Sequence, residues 1–209
     1  MASTPTASTE SFEGATEDTA TAADAPTDLV VVSNREPYQH RYSEEDGVVV
    51  DTPVGGLTAG LDRVMQRTDG TWIAWGDSEA DPSVVNAADC VRVPPSDPAY
   101  TLRRVWLGED AVREYYYGFS NQVLWPLCHG LVEKAEFDRS FWERYRSVNE
   151  RFADVVVEQA SDASVVWFQD YHLALAPRRV RSSLPASVPL VQFWHIPWPD
   201  WESFRACPQ

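Results

Sequence analysis

The sequence predicts a doubly wound α/β fold, a mostly parallel sheet with helices on both faces. Three observations carry this expectation. Leu29-Val30-Val31-Val32 is a continuous apolar run, as a central parallel strand covered on both sides requires. Val165 to Phe168 and Leu190 to Trp194 have the length and the β-branched or aromatic content of two further buried strands, with a helix-like segment between them. Phe141, Tyr145, Val148, Phe152 and Val156 recur at helical spacing just before that unit, so helices and apolar strands alternate along the chain.

Taken in order, residues 1–28 are rich in Ala, Thr and Ser, are acidic without a basic residue, and hold Phe12 as their only aromatic. Such a segment cannot offset its own ordering entropy, and it reads as a disordered tail before a domain spanning 29–209. The first strand stops at Ser33-Asn34-Arg35. In open parallel sheets ligands bind at the carboxyl ends of the strands, where a guanidinium presents a forked donor that matches phosphate. Position alone leaves Arg35 two readings, a phosphate ligand or a surface residue closing a strand. Residues 36–51 are polar and read as a loop or small hairpin.

Gly55-Gly56 precedes Leu57, Leu61, Val64 and Met65 at helical spacing. Paired glycines before a helix let the backbone approach an anion, although glycine turns before helices are also common without one. Thr71 to Gly76 reads as a strand ending near Trp75, and Val91 to Val93 and Arg103 to Leu107 as shorter ones. A helix is expected over Asp110 to Tyr117. Tyr115, Tyr116 and Tyr117 are consecutive and cannot all face one core, so at least one belongs at the surface or in a cleft. Phe119 to Pro126 reads as a loop entering a packed turn. Ser140 with Glu143 reads as a capping box opening the amphipathic helix.

The last strand unit gathers the polar chemistry. Val165 to Phe168 leads into Gln169, Asp170, Tyr171 and His172, and Leu190 to Trp194 into His195 and Ile196-Pro197-Trp198-Pro199. Asp170 and His195 are therefore expected at one crevice. An arginine for phosphate, a carboxylate for hydroxyl protons and aromatic faces for sugar C–H groups form the inventory of a sugar-phosphate site.

Composition narrows the alternatives. The net charge is −15, with Lys134 the one lysine, which argues against nucleic acid and anionic membranes as partners. The same charge suits solubility in very high salt, so a halophilic source is expected. Cys90, Cys128 and Cys207 are widely spaced and suggest neither a disulfide framework nor a metal site. The histidines at 40, 129, 172 and 195 are scattered, with no HExxH, and no GxSxG elbow is present. No run of 18 apolar residues and no basic-then-apolar leader occurs, so a cytoplasmic location is expected.

LVVVSNREP, the Gly55-Gly56-Leu57 turn, EYYYGFSNQVLWP, WFQDYHL and FWHIPWP followed by SFRACP occur in one order. Together they resemble the trehalose-6-phosphate synthases, glycosyltransferase family 20, from Leu29 to Cys207. The resemblance implies a retaining glycosyltransferase of the two-Rossmann-domain GT-B type. It implies glucosyl transfer from a nucleotide sugar, commonly UDP-glucose, to glucose 6-phosphate, giving trehalose 6-phosphate without an essential metal or other cofactor. In the front-face mechanism proposed for the family, the leaving phosphate helps to deprotonate the acceptor. Carried over by motif, Arg35 would bind the acceptor phosphate, and Trp75, Tyr116 and Trp125 would line the glucose 6-phosphate pocket. Asp170 would bind acceptor hydroxyls, His195 would contact the transferred glucose, and Gly55 and Gly56 would approach the donor diphosphate. Asp77 stands where the family often has a small polar residue.

The same resemblance makes 29–209 an incomplete N-terminal, acceptor-binding domain without its C-terminal donor-binding domain. Three readings follow: an acceptor half inactive alone, with a separately encoded second half as a possible partner; a non-catalytic sugar-phosphate-binding or regulatory module; and a synthase using glycerol 3-phosphate, as the related glucosylglycerol-phosphate synthases do.

Overall fold

The computed structural model describes residues 28–45, 47–52 and 56–208. The expected tail, apart from Asp28, and Gly55 lie outside the described residues. In chain order the elements are β1 (Asp28–Ser33), β2 (Gln39–Ser43), β3 (Gly47–Asp51), α1 (Gly56–Met65), β4 (Thr71–Gly76) and α2 (Asp81–Val84). They continue with β5 (Cys90–Val93), β6 (Tyr100–Trp106), α3 (Glu109–Val112), a π-helical segment (Arg113–Leu124), α4 (Trp125–Cys128) and α5 (Arg139–Gln159). The last are β7 (Ser164–Gln169), α6 (Ala176–Ser183), β8 (Leu190–Phe193) and α7 (Trp201–Arg205).

Six strands form one sheet in the order β5-β6-β4-β1-β7-β8, and residues 39–51 fold as the separate hairpin β2-β3. Every pairing in the large sheet is parallel except β5 with β6. The chain runs from β1 outward to β4 and β6, then returns to β7 on the other side of β1. That reversal opens a crevice between the carboxyl ends of β1 and β7. Asp28 belongs to β1 rather than to the tail, because the parallel register pairs it with Ser164.

Alternation along β1 divides the core into two layers. Val30 and Val32 pack with Tyr115, Phe119 and Val123 of the π-helical segment and with Tyr145, Val148, Phe152 and Val156 of α5. Leu29 and Val31 face the opposite way, against Leu61 and Met65 of α1 together with Tyr38, Trp72 and Tyr100. Burial of each such side chain favours folding by about 1.5–3 kcal/mol, so β1 is fixed from both faces.

The structure departs from the sequence reading in three further places. The helix expected to end at Tyr117 continues without a break through α4, and no loop intervenes at 119–126. Gly118, a helix breaker by propensity, is needed there for packing, since a Cβ on it would meet the Phe141 ring at 2.7 Å. The Trp125 N–H bonds to Ser120 O, five residues back, and Pro126 follows where the π-helical segment gives way to α4.

The cap of α5 is Asp138, whose carboxylate accepts from the Ser140 N–H at 2.7 Å, so Ser140 lies inside the helix and Glu143 pairs with Arg139 instead. Finally β8 is an edge strand and not a buried one. Val191 and Phe193 are 44% and 48% exposed, because among the described residues β8 pairs with β7 alone.

Candidate functional site

β1 delivers Arg35 to the crevice, and the residues before it fix its backbone. Trp72 Nε1 donates to Ser33 Oγ at 2.8 Å, and Ser33 Oγ donates to the Arg35 carbonyl at 2.6 Å. The guanidinium lies 5.1 Å from the Tyr116 ring centre and 5.9 Å from that of Trp75. Its NH2 donates to Tyr116 Oη at 3.1 Å, and its NH1 pairs with Asp77 Oδ2 at 2.9 Å. Stacking against two rings orients the fork while leaving half of the side chain exposed to a ligand.

The three tyrosines separate cleanly. Tyr115 is buried and donates to Asn34 Oδ1 at 3.0 Å, Tyr117 is mostly exposed, and Tyr116 faces the crevice. His172 stacks on Tyr116 at 5.6 Å and on Tyr171 at 4.1 Å. Burial, followed by the positive charges of Arg35 and His195, lowers its pKa to about 3. His172 is therefore a neutral ring at any ordinary pH, suited to hydrogen bonding and not to carrying charge.

Asp170 joins this group to a second one. It follows β7 with φ 67° and ψ 177°, backbone angles that glycine alone adopts readily. The strain is held by its own hydrogen bonds. Its N–H donates to the Phe193 carbonyl at 2.7 Å, while its Oδ1 accepts the N–H groups of Tyr171 at 2.9 Å and His195 at 3.3 Å. Burial raises the pKa of the carboxyl, opposed by those two amide donors. Asp170 Oδ2 lies 3.8 Å from His172 Nδ1, so this one carboxylate touches both clusters.

The second group surrounds a surface cavity of ≈ 380 Å³ lined by Gly56, Leu57, Gly60, Trp167, Gln169, Phe193 and His195 among others. His195 Nε2 lies 3.0 Å from Gln169 Oε1. Gln169 is buried, and its Nε2 has no hydrogen-bond partner. Gly56 opens α1 with nothing within 4 Å of the place a Cβ would take, so a side chain would occupy open cavity space. Of the residues expected in the site, the structure thus brings Arg35, Trp75, Tyr116 and Asp170 together, and Gly56 and His195 around the neighbouring cavity. Trp125 stacks on His129 at 4.0 Å and makes no ring contact with Trp75, Tyr116 or His172.

Sequence reasoning set Gln169 and His172 among the polar groups at the strand end and singled out Asp77, but gave none of the three a role in these clusters. His172 and Gln169 flank Asp170 in QDYH, so proximity to a strand end was the available signal. It also missed what lies beneath Arg35. Arg104, fully buried, holds Glu36 Oε2 at 2.8 Å, Asp81 Oδ1 at 2.8 Å and the Tyr38 carbonyl at 3.0 Å. Two buried carboxyls share that one guanidinium. Burial and then Asp81 push Glu36 up to about 8, while Asp81 stays ionised, held low by its hydrogen bonds with His40 and Glu36 and by Arg104 despite its burial.

The sheet order, with an arginine, a carboxylate and aromatic rings gathered at its switch point, defines a Rossmann-like α/β domain whose polar groups serve one crevice. The chain belongs to glycosyltransferase family 20, whose sequence model matches residues 27–209. The trehalose-6-phosphate synthase of Mycolicibacterium smegmatis is 36% identical over 182 residues, covering 87% of this chain and 34% of that protein.

A structure from E. coli bound with UDP-2-fluoro glucose superposes with TM-score 0.66 at 31% identity, covering 86% of this chain and 35% of that one. The alpha,alpha-trehalose-phosphate synthase (UDP-forming) from Burkholderia xenovorans, in complex with glucose-6-phosphate, gives TM-score 0.65 at 27% identity over 87% of this chain and 36% of that one. The sheet is thereby that of the N-terminal part of a GT-B glycosyltransferase. The chain spans about a third of the length of the relatives it matches. No helix among the described residues is long and apolar enough to cross a membrane.

Proposed function

We propose that this chain is the acceptor-side wall of a trehalose-6-phosphate synthase site, binding glucose 6-phosphate for glucosyl transfer from a nucleotide-glucose, UDP-glucose by preference. The observation that carries this reading is the Arg35 fork, stacked on Trp75 and Tyr116 and sharing its crevice with Asp170. The guanidinium supplies the phosphate contact, the rings pack against sugar C–H groups, and Asp170 accepts hydroxyl protons. The cavity between Gly56 and His195 takes the transferred glucose and the near end of the diphosphate. The glucose-6-phosphate bound in the Burkholderia relative and the UDP-2-fluoro glucose bound in the E. coli one support both ligand classes.

In this reading the wall orients the acceptor hydroxyl but does not carry turnover alone, because stabilising the departing diphosphate needs charge from across the crevice. That second wall corresponds to the remaining length of the relatives, supplied by the same polypeptide or by a separate one. The reaction takes place in the cytoplasm, and the charge of −15 keeps the chain soluble there in high salt.

Titration of the 209-residue chain with glucose 6-phosphate tests the binding. The expected result is saturable binding that Arg35→Ala weakens by about a hundredfold, in line with the loss of a charge-assisted contact of ~3 kcal/mol. No UDP release is expected from UDP-glucose and glucose 6-phosphate with this chain alone. Steady release would overturn the assignment to a single wall.

A further inference from the structure

The phosphate-binding fork is not free in this structure. Arg35 NH2 is engaged by Tyr116, and its NH1 is paired with Asp77 Oδ2 at 2.9 Å, with the two side chains 50% and 30% exposed. Two of its five N–H groups, one on each terminal nitrogen, therefore already have acceptors. One is a hydroxyl, which can itself donate to an incoming oxygen; the other is a carboxylate, which cannot.

Asp77 is not a loose surface residue that happens to lie nearby. Its main-chain N–H donates to Glu36 Oε1 at 3.2 Å, and the next N–H, of Ser78, donates to Asp81 Oδ2 at 2.9 Å. Glu36 and Asp81 are both buried on Arg104. Two buried carboxyls thus pin the backbone on which Asp77 stands. Only rotation of its own side chain can carry the carboxylate away from Arg35. Burial raises the pKa of Asp77; Arg35 opposes that rise and Asp81 adds to it.

Asp77 offers Arg35 what a phosphate would offer it, an anionic oxygen at hydrogen-bond distance. It also neutralises the charge that would draw a phosphate in. Paired with Asp77, and with His172 neutral beside it, the Arg35 guanidinium does not present an uncompensated positive charge to the crevice.

We infer that Asp77 is an internal occupant of the anion subsite, which an incoming phosphate has to displace, and that it sets how strongly the site prefers phosphorylated over unphosphorylated sugars. This rests on the reading of Arg35 as the phosphate ligand. Asp77 is then a specificity-determining residue. It weakens phosphate capture and leaves contacts to the sugar ring unchanged.

The test is binding of glucose 6-phosphate and of glucose to the 209-residue chain, at one ionic strength, by calorimetry or NMR titration. The wild type is compared with Asp77→Asn, Asp77→Ser and Arg35→Ala. Both Asp77 variants keep the backbone N–H that Glu36 holds, and thermal melts check that each variant folds. Each Asp77 variant is expected to bind glucose 6-phosphate about tenfold more tightly, equivalent to ~1.4 kcal/mol, with glucose affinity unchanged.

Unchanged or weaker glucose 6-phosphate binding in both Asp77 variants, with binding still lost in Arg35→Ala, overturns the inference and leaves the reading of Arg35 intact. Binding that survives Arg35→Ala undiminished overturns the reading and the inference together. So does an absence of binding in the wild type and in both Asp77 variants.

Discussion

The two sides of the crevice are built differently. On the β1–β4 side the crevice groups rest on buried or largely buried partners: Arg35 on Trp75, Tyr116 on His172, and the Asp77 backbone on Glu36. On the β8 side His195 has the buried Gln169 beside it, but the strand that carries it is an edge. Phe193, Trp198, Trp201 and Phe204 are 48%, 74%, 68% and 54% exposed there. In the described residues the β1–β4 side is thus covered by the core, and the β8 side is exposed.

That contrast is sharpest in core truncations. Phe152→Ala, in the layer of α5 beneath β1, is expected to cost about 3–5 kcal/mol in a denaturant melt, whereas Phe193→Ala on β8 stays within about 0.5 kcal/mol. Equal losses would show that β8 is as well packed as β1.

A smaller effect is expected at Asn149, which is buried behind His172. Its Nδ2 donates to the carbonyls of Tyr145 and His172, and its Oδ1 accepts the N–H groups of Leu175 and Ala176. Asn149→Ala strands those groups, and a loss of about 1–3 kcal/mol is expected. Because one of them fixes His172, sugar-phosphate affinity is expected to fall with it, while the surroundings of His195, followed by NMR, stay unchanged.

The third contrast is one of pH. Glu36 is raised from 4.5 to about 8, so the folded chain keeps a proton that the unfolded chain releases. The stability this contributes is present below the ordinary glutamate range and declines as pH rises toward and through about 8. Glu36→Gln mimics the protonated form. Its melting temperature is expected to fall less than that of the wild type between pH 6 and 9. Parallel declines would place the proton elsewhere in the cluster.

Much of this was legible in the sequence, and the pattern of what was not has a physical basis. The apolar runs at 29–32 and 165–168 identified β1 and β7, and their polar ends identified Arg35 and Asp170, because strand burial and strand ends are local properties. The edge position of β8 is not local. Leu190 to Trp194 reads as buried, and only the pairing order shows that among the described residues one side has no neighbouring strand.

Residues 119–126 read as a loop because propensity cannot register the Phe141 ring lying where a Cβ on Gly118 would go. The tyrosine run showed that at least one of three belonged at the surface or in a cleft, and the packing of the π-helical segment on α5 decided which is buried. Asp77 and the Arg104 cluster join residues some 40 to 70 positions apart, beyond any periodicity.

The backbone at Asp170 has one more consequence. Its angles favour glycine, so Asp170→Gly relieves strain of about 1–3 kcal/mol while removing a carboxylate that ties two binding clusters together. Stability and ligand chemistry therefore pull on this residue in opposite directions. In a library of variants screened for thermal resistance alone, position 170 is where the domain would drift toward a sturdier and chemically emptier form.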